Sequence, residues 1–292
     1  MWDIAANGDI VVAQTDDRGA MFVQQDGAAV RDLSWLDAST ATDLSPDGRL
    51  LLFDETGQGG GPDSAVYLRG TDGSAAVRLA SGRALALSPD ARWALCAPAF
   101  TATSQLDLVP TGAGRVRRIV AEGLNVVGAR FLPGGANLAL EAYEADQRVR
   151  LYHFDLDSGR HRAITPGGVR SWALAPDGSA VAAQGPQAAA MLYPITDGDA
   201  RPAPGAQAGE SVMGWIDSGL LLRRAEDPIS AVGAVQRLDL QGGQRNLFSN
   251  ILPPDGAGLM TLGNYCVTPD GRTQAYDWHR ALSNLYVARG LA

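Results

Sequence analysis

Ser45-Pro46-Asp47-Gly48-Arg49 and the apolar run after it, Leu50-Leu51-Leu52-Phe53, form the most informative segment of this sequence. Proline fixes φ at the second position of a turn, and glycine accepts the left-handed backbone that ends the turn. An apolar run this short, directly after a turn, is typical of a β-strand rather than a helix. The segment therefore predicts a tight turn that leads into a buried strand.

The same turn returns along the chain at intervals of roughly 40 to 50 residues, a period typical of propellers and solenoids. Its clear copies are Ser88-Pro89-Asp90-Ala91, Leu132-Pro133-Gly134-Gly135, Ala175-Pro176-Asp177-Gly178 and Thr268-Pro269-Asp270-Gly271; weaker ones are Ala6-Asn7-Gly8 and Asp217-Ser218-Gly219. A second series of turns, such as Asp157-Ser158-Gly159, lies roughly 20 residues after the first. Four short antiparallel strands at this period form a propeller blade.

We therefore predict an all-β fold, a single β-propeller domain over residues 1–292 with four-stranded antiparallel blades. The predicted units are approximately 1–36, 37–81, 82–123, 124–168, 169–209, 210–259 and 260–292. This division gives seven blades, of which the last has only three strands (264–267, 273–276 and 285–288) and leaves an exposed edge. The alternative has six blades: Ala28 to Trp35 then becomes the fourth strand of the final blade, and residues 1–27 form an appendage.

Composition excludes several classes of function. The formal net charge is -8, and all 24 basic residues are arginine. An acidic chain does not have the basic patch of a nucleic-acid-binding protein, and without lysine it can form no Schiff base. No apolar run approaches the roughly 20 residues of a membrane helix. The start, Met1-Trp2-Asp3-Ile4, has no signal-peptide pattern, so we expect a soluble chain with no membrane insertion.

The Ser-Pro-Asp-Gly-Arg copies resemble the bacterial WD40-like (PD40) repeats of the periplasmic TolB type. Further stretches, Arg31 to Trp35, Leu51 to Gly61, Ala65 to Arg69, Val149 to Tyr152 and Leu282 to Tyr286, are similar to TolB-like propellers found C-terminal to eukaryotic-like serine/threonine kinases. The resemblance implies a sensing or binding module of a larger bacterial sensor or envelope protein, with an extracytoplasmic location as one possibility. The chain itself has no glycine-rich ATP loop, His-Arg-Asp or Asp-Phe-Gly motif.

Three functions remain open at this point. We expect a non-catalytic, monomeric module that binds a protein, peptide or small molecule, with no catalytic residue, cofactor or metal. The alternatives are an accessory propeller of a serine peptidase and a propeller hydrolase or lyase whose residues gather at the pore mouth.

The predicted binding site is the rim formed by the loops between the second and third strands of each blade. Its residues are Glu55, Asp63, Glu144, Asp146, Trp278, His279 and Arg280. Together with Glu226, Asp227 and Asp277, the acidic members should make this rim negative and favourable to cations or basic peptides.

Other candidate groups have simpler interpretations. Gly57 to Pro62 lacks the Gly-Lys-Ser/Thr of a phosphate loop and is expected to be a flexible connection. His153, Asp155, Asp157 and His161 have metal-ligating side chains but fall in an ordinary strand–turn–strand segment. Cys96 and Cys266 are expected to be free thiols in the core.

Overall fold

The computed structural model describes residues 3–4, 10–57, 59–61, 63–98, 102–185, 188–224, 233–251 and 255–288. Within these ranges the strands form six antiparallel sheets, which are the six blades of a propeller. The described residues contain no helix that is long and apolar enough to cross a membrane.

The first three strands in sequence order belong to the last blade. They are β1 (Asp3–Ile4), β2 (Ile10–Gln25) and β3 (Arg31–Asp32).

The next twenty strands form blades 1 to 5, each built from four consecutive strands. Blade 1 contains β4 (Ser39–Leu44), β5 (Leu50–Glu55), β6 (Ala65–Gly70) and β7 (Val77–Ser81). Blade 2 contains β8 (Arg83–Leu87), β9 (Trp93–Ala97), β10 (Gln105–Pro110) and β11 (Arg117–Val120). Blade 3 contains β12 (Asn125–Phe131), β13 (Asn137–Tyr143), β14 (Arg150–Asp155) and β15 (His161–Ala163). Blade 4 contains β16 (Ser171–Leu174), β17 (Ala180–Gln184), β18 (Met191–Pro194) and β19 (Arg201–Pro202). Blade 5 contains β20 (Glu210–Ile216), β21 (Gly219–Arg224), β22 (Gly233–Leu238) and β23 (Arg245–Ile251).

Blade 6 is assembled from both ends of the sequence. β24 (Leu259–Val267) pairs with β25 (Thr273–Ala288). β25 pairs with β2 in an unbroken register from Thr273↔Gln25 to Ala288↔Ile10. β3 then pairs with Phe22 and Val23 of β2, and β1 pairs with the other end of β2.

The prediction of seven blades is wrong, and the six-bladed alternative has the correct number. The error lies in residues 273–288, where two strands and a loop were predicted. No glycine or proline interrupts this segment, and it continues as one strand. The six-bladed alternative correctly made the segment from Ala28 to Trp35 the fourth strand of the final blade. The third strand of that blade, however, is residues 10–25 rather than residues 285–288, so these residues are not an appendage and Arg31–Asp32 pairs with β2. The weak turn at Ala6–Gly8 lies outside the described residues.

Side-chain hydrogen bonds fix the repeated turn. Ser45 Oγ donates to Asp47 Oδ1 at 2.6 Å and accepts the Leu50 N–H at 2.9 Å. Gly48 adopts a φ of 68°, in the left-handed region. The equivalent serine–aspartate or threonine–aspartate bond recurs in the turns of blades 2 and 6. The residues that identified the repeat in the sequence are therefore those that close the turn.

Apolar residues on both faces of the inner strands join neighbouring blades. Leu51 and Phe53 of β5 pack with Met21 and Cys266 of blade 6, whereas Leu52 between them faces blade 2. Alternate side chains of a strand point to opposite faces, so a strand between two blades is apolar along its whole length. Both cysteines are buried and free, as predicted.

The outer halves of β2 and β25, residues 10–17 and 281–288, extend past the last residue of β24 that pairs with β25. We call this two-stranded extension the ribbon. Most of its side chains are exposed or half-buried, in contrast to the inner half of β25.

Candidate functional site

Glu55, the first residue of the predicted rim site, is structural. Its side chain is fully buried, and it accepts the Ala38 N–H and the Ser39 hydroxyl, both at 2.7 Å. These bonds attach the end of β5 to the start of β4, so neither carboxylate oxygen is directed to solvent.

The segment Trp278–Arg280 lies inside β25 rather than in the predicted loop. Trp278 is fully buried among apolar residues of blades 5 and 6. Arg280 pairs with Asp255, with Nη1 at 3.5 Å from Oδ2. Only His279 of the three is exposed.

The remaining rim residues are exposed, and their role in binding remains a prediction. Asp63 lies in the connection between β5 and β6, together with the described glycines of the predicted flexible stretch. Glu144 accepts the Tyr152 hydroxyl at 3.1 Å, and Asp146 pairs with Arg150 at 2.5 Å. Glu226 and Asp227 lie outside the described residues, and Asp277 is buried. The acidic character of the whole rim remains a prediction.

The segment of His153 and His161 forms a strand–turn–strand unit. Asp155 accepts the Ser158 N–H at 2.7 Å and shapes the turn between β14 and β15. Among the described residues, no three histidine, cysteine or acidic side chains are grouped so that they could hold a metal.

The described residues enclose a cavity of about 760 Å³ on the propeller axis, lined mainly by the first strand of every blade. Sequence reasoning did not identify it, because the residues that meet there are far apart in the chain. Prolines from five copies of the repeated turn surround one end: Pro46, Pro89, Pro133, Pro176 and Pro269. The rest of the lining is partly apolar, with Leu85, Phe131 and Met213 among its residues. It also includes polar and charged residues: Thr40, Asp43, Asp54, Arg83, Arg130, Glu141, Trp172 and Asn264.

Arg130 and Asp43 connect three blades across this cavity. Arg130 Nε of blade 3 lies 4.0 Å from Asp43 Oδ1 of blade 1. The guanidinium also donates to the Leu85 carbonyl of blade 2 at 3.1 Å and the Thr42 carbonyl of blade 1 at 3.3 Å. Burial raises the pKa of Asp43, although Arg130 opposes this effect. Because its donors are already engaged, Arg130 has a structural role.

A second charged group lies at the ends of the second strands. Asp54 accepts the Ala84 N–H at 2.7 Å, and Glu141 accepts the Trp172 indole N–H at 3.0 Å. Arg83 interacts electrostatically with both carboxylates, and burial lowers the pKa of its guanidinium. Arg83 Nη2 donates to the Val127 carbonyl at 2.9 Å, whereas its buried Nε has no hydrogen-bond partner among the described residues. This group therefore retains unused hydrogen-bonding capacity beside the cavity.

Asp277 of blade 6 lies next to the lining residue Asn264. Its Oδ1 accepts the N–H groups of Ala41 and Asn264 at 3.1 and 3.0 Å. Its buried Oδ2 has no hydrogen-bond partner in the described part of the chain, and His279 Nε2 is 3.7 Å away. Burial raises the pKa of both Asp277 and Asp54 to about 7. Both carboxyls therefore change charge near neutral pH.

One sequence signal could have identified this acidic group. Asp54, Glu141 and Asp277 each stand six residues after the glycine of their turn, and Gln184 of blade 4 has the same spacing. Equivalent positions in a propeller's blades surround the axis at the same height. Alignment of the repeats would thus have brought these four polar residues together.

Comparison with known proteins supports the fold. No family model matches the sequence, and no curated protein matches it. A putative TolB from Agrobacterium tumefaciens is similar in structure, with a TM-score of 0.66 at 19% identity over 90% of this chain and 98% of that chain. TolB from Acinetobacter baumannii gives a TM-score of 0.57 at 14% identity over 93% and 66% of the two chains. An oligogalacturonate lyase in complex with manganese gives 0.55 at 15% identity over 93% and 76%. The predicted likeness to TolB-like propellers is confirmed at the level of the fold.

Proposed function

We propose that this propeller is a non-catalytic module that binds a protein, peptide or small molecule, and that the ligand enters the axial cavity. The supporting observation is the unused hydrogen-bonding capacity of Arg83 and Asp277 at and beside a cavity of about 760 Å³. Concave sites with an apolar lining and a few convergent polar groups are the usual places for ligands. The predicted rim would then contribute only peripheral contacts.

Above a pH of about 7, where Asp54 is ionised, the charge of the lining favours a ligand with positive charge or several hydrogen-bond donors. Asp43, Asp54 and Glu141 line the cavity, against Arg83 and Arg130. Arg130 already donates to backbone carbonyls, so it contributes little to an anionic ligand. The prolines at one mouth offer apolar surface to the rest of such a ligand.

Tryptophan fluorescence provides the test, because Trp172 and Trp215 line the cavity. We expect titration with argininamide to change the emission and titration with succinate to leave it unchanged. Glu141→Gln and Asp54→Asn should each weaken argininamide binding by about tenfold, the usual effect of removing a charge from a hydrogen-bonded contact. The control Asp199→Asn changes an exposed carboxylate outside the cavity and should have no effect. Equal affinities in all four proteins would contradict the proposed site.

Catalysis requires a separate experiment. The non-catalytic part of the proposal predicts no turnover of oligogalacturonate in the presence of Mn²⁺. Formation of the unsaturated product, followed by ultraviolet absorbance, would contradict it.

The cellular context follows from the resemblance alone. We propose that the 292 residues act as one domain of an extracytoplasmic bacterial protein. Fractionation of the host cells, with an antibody against the propeller, tests the location; recovery in the cytoplasmic fraction would contradict it.

A further inference from the structure

The outer half of β25 is an unpaired strand edge. The last pair between β24 and β25 is Leu259↔Arg280, followed by one backbone bond from Ala281 N–H to the Gly258 carbonyl. From residue 282 to residue 288 this edge has no strand partner among the described residues, while the other edge is paired with β2. An unpaired edge of this length is a template for another strand.

The chemistry of this edge is unusual for a chain of net charge -8. Residues 281–288 (Ala-Leu-Ser-Asn-Leu-Tyr-Val-Ala) contain no charge, proline or glycine. Leu282, Leu285, Tyr286 and Val287 are 40%, 73%, 50% and 55% exposed. Charged residues and proline are the usual means of protecting an edge from pairing, and both are absent here.

The register determines which backbone groups the edge offers. Ala281 N–H points towards β24, and backbone groups of alternate residues in an antiparallel strand point to the same side. The N–H and C=O groups of Ser283, Leu285 and Val287 therefore point outward, whereas those of Asn284 and Tyr286 bond to β2.

We propose that two copies of this chain associate by antiparallel pairing of residues 282–288 across a two-fold axis at Leu285. In this register Leu285 faces its own copy and Ser283 faces Val287, which gives about six backbone hydrogen bonds. No charge is opposed to a like charge, because the nearest carboxylates of the ribbon, Asp16 and Asp17, lie on β2, one strand away. This dimer replaces the monomer expected from the sequence.

Each chain contributes seven residues to the pairing. The surface that they bury is smaller than that of a standard protein interface, which is roughly 1,600 Å². The dimer should therefore be reversible and depend on concentration. Its four-stranded sheet, β2–β25 with β25–β2 of the second copy, covers the exposed apolar side chains only in part.

Sedimentation equilibrium of the intact chain, up to about 0.1 mM, tests the proposal. We expect a mass that rises with concentration towards twice that of one chain. Leu285→Lys places two like charges opposite each other at the axis and should raise the dissociation constant by at least about tenfold. The matched control Ala13→Lys adds the same charge at the residue paired with Leu285, on β2, and should change it much less.

A second pair of variants separates association from folding. Leu285→Pro removes an N–H that the chain itself does not use, so it should abolish association and retain the wild-type circular dichroism spectrum. Asn284→Pro removes an N–H that bonds to β2, so it should lower the unfolding temperature. A wild-type chain that stays monomeric over the whole concentration range would overturn the proposal, as would a dimer that Leu285→Lys and Leu285→Pro leave unchanged. A monomer that instead captures an unrelated extended peptide at this edge would also overturn it.

Discussion

Asp54 and Asp277 show why a buried carboxyl is retained beside the axis. Each accepts the N–H of a residue at the start of a β-bulge in the next blade, Ala84 and Ala41 respectively. A bulge interrupts the ladder and leaves a backbone group unpaired, and a buried unpaired N–H is costly. The carboxyl of one blade therefore satisfies the irregular strand of its neighbour.

The titration of Asp54 and Asp277 should be visible in the stability of the fold. An unfolded aspartate releases its proton near pH 4, whereas burial raises the pKa of these two to about 7. Between these values the folded state holds protons that the unfolded state has lost, so stability falls as pH rises from about 4 to about 7. We expect Asp54→Asn, which keeps an acceptor for Ala84, to reduce this fall. Urea unfolding at about pH 5 and about pH 7.5 measures the difference.

Asp146→Asn is the matched control, because pairing with Arg150 lowers the pKa of the exposed Asp146 to about 2. A lowered pKa makes stability depend on pH only below the ordinary aspartate value, as the pH falls towards about 2, so loss of this carboxylate changes stability above that value by an amount that does not vary with pH. Asp146→Asn should therefore leave the change in unfolding free energy between about pH 5 and about pH 7.5 the same as in the wild type. If Asp54→Asn also leaves the pH dependence of the unfolding free energy unchanged, burial does not keep the Asp54 carboxyl protonated in this pH range.

The site was less predictable than the fold, and Asp277 shows why. In sequence it stands beside Trp278 and His279, a group typical of a surface loop, and the predicted loop placed all three on the rim. Burial of Asp277 depends on the bulge at Ala41, which is 236 residues away and has no sequence signal of its own. Of the seven predicted rim residues, Glu55 and Trp278 proved fully buried for similar reasons of tertiary contact.

At the scale of the elements, the repeated turns differ in whether their left-handed position can accommodate a side chain. Gly48 has a φ of 68°, and a Cβ added there would lie 2.3 Å from Thr273 Oγ1 of blade 6. Ala91 occupies the equivalent position of blade 2 with a φ of 56°, so its Cβ is already accommodated in the left-handed region.

These two turns provide a paired test. Gly48→Ala should destabilise the protein by about 2 kcal/mol or more, because strain in the left-handed region adds to the contact with Thr273. Ala91→Gly should change stability by no more than about 1 kcal/mol. Glycine relieves left-handed backbone strain in the folded state, and this gain offsets the greater conformational entropy that glycine gives the unfolded chain. Chemical denaturation measures both. Equal losses in the two variants would show that packing between blades 1 and 6 at Gly48 is unimportant.

Turn chemistry also explains how much of the element structure could be predicted. Serine, proline, aspartate and glycine mark the first turn of most blades, and the strands beside those turns were found in the sequence. β25 was divided wrongly because the expected period required a turn after Tyr276, although Asp277 to Ala288 contains no glycine or proline. In this segment the absence of glycine and proline predicts the continuous strand, whereas the repeat period predicts a turn that is not there.

The whole molecule is a ring whose closure depends on β2 and β25. Thr15 and Ser283 face each other in this ladder, with their side-chain oxygens 3.2 Å apart. Because the N–H of Ser283 points to the free edge, the two form a non-hydrogen-bonded pair, the type in which Cα atoms lie about 4.5 Å apart.

A disulfide can test this closure directly. We expect the double variant Thr15→Cys, Ser283→Cys to form a bridge on mild oxidation, detected by mass spectrometry as the loss of two thiols. The native cysteines should not compete, since both are buried and free. The control Thr15→Cys, Asn284→Cys places the thiols on opposite faces of the ribbon and should remain reduced. Bridging in the control, or none in the test variant, would contradict the six-bladed closure.

The same ladder has a consequence for synthesis. Residues 15 and 283 are 268 positions apart, so β2 leaves the ribosome long before the strand that it pairs with. Pairing two such distant segments has a cost in loop-closure entropy that pairing of neighbouring strands largely avoids. Blades 1 to 5 can therefore form from neighbouring strands while the ring is still open. Until then the apolar inner half of β2, with Met21, Phe22 and Val23, lacks β25, the strand with which it forms its longest ladder in blade 6. Transiently exposed segments of this kind favour aggregation and binding by chaperones. β2 is therefore made before the strands of blades 1 to 5 but completes its own blade only after β25 has been made.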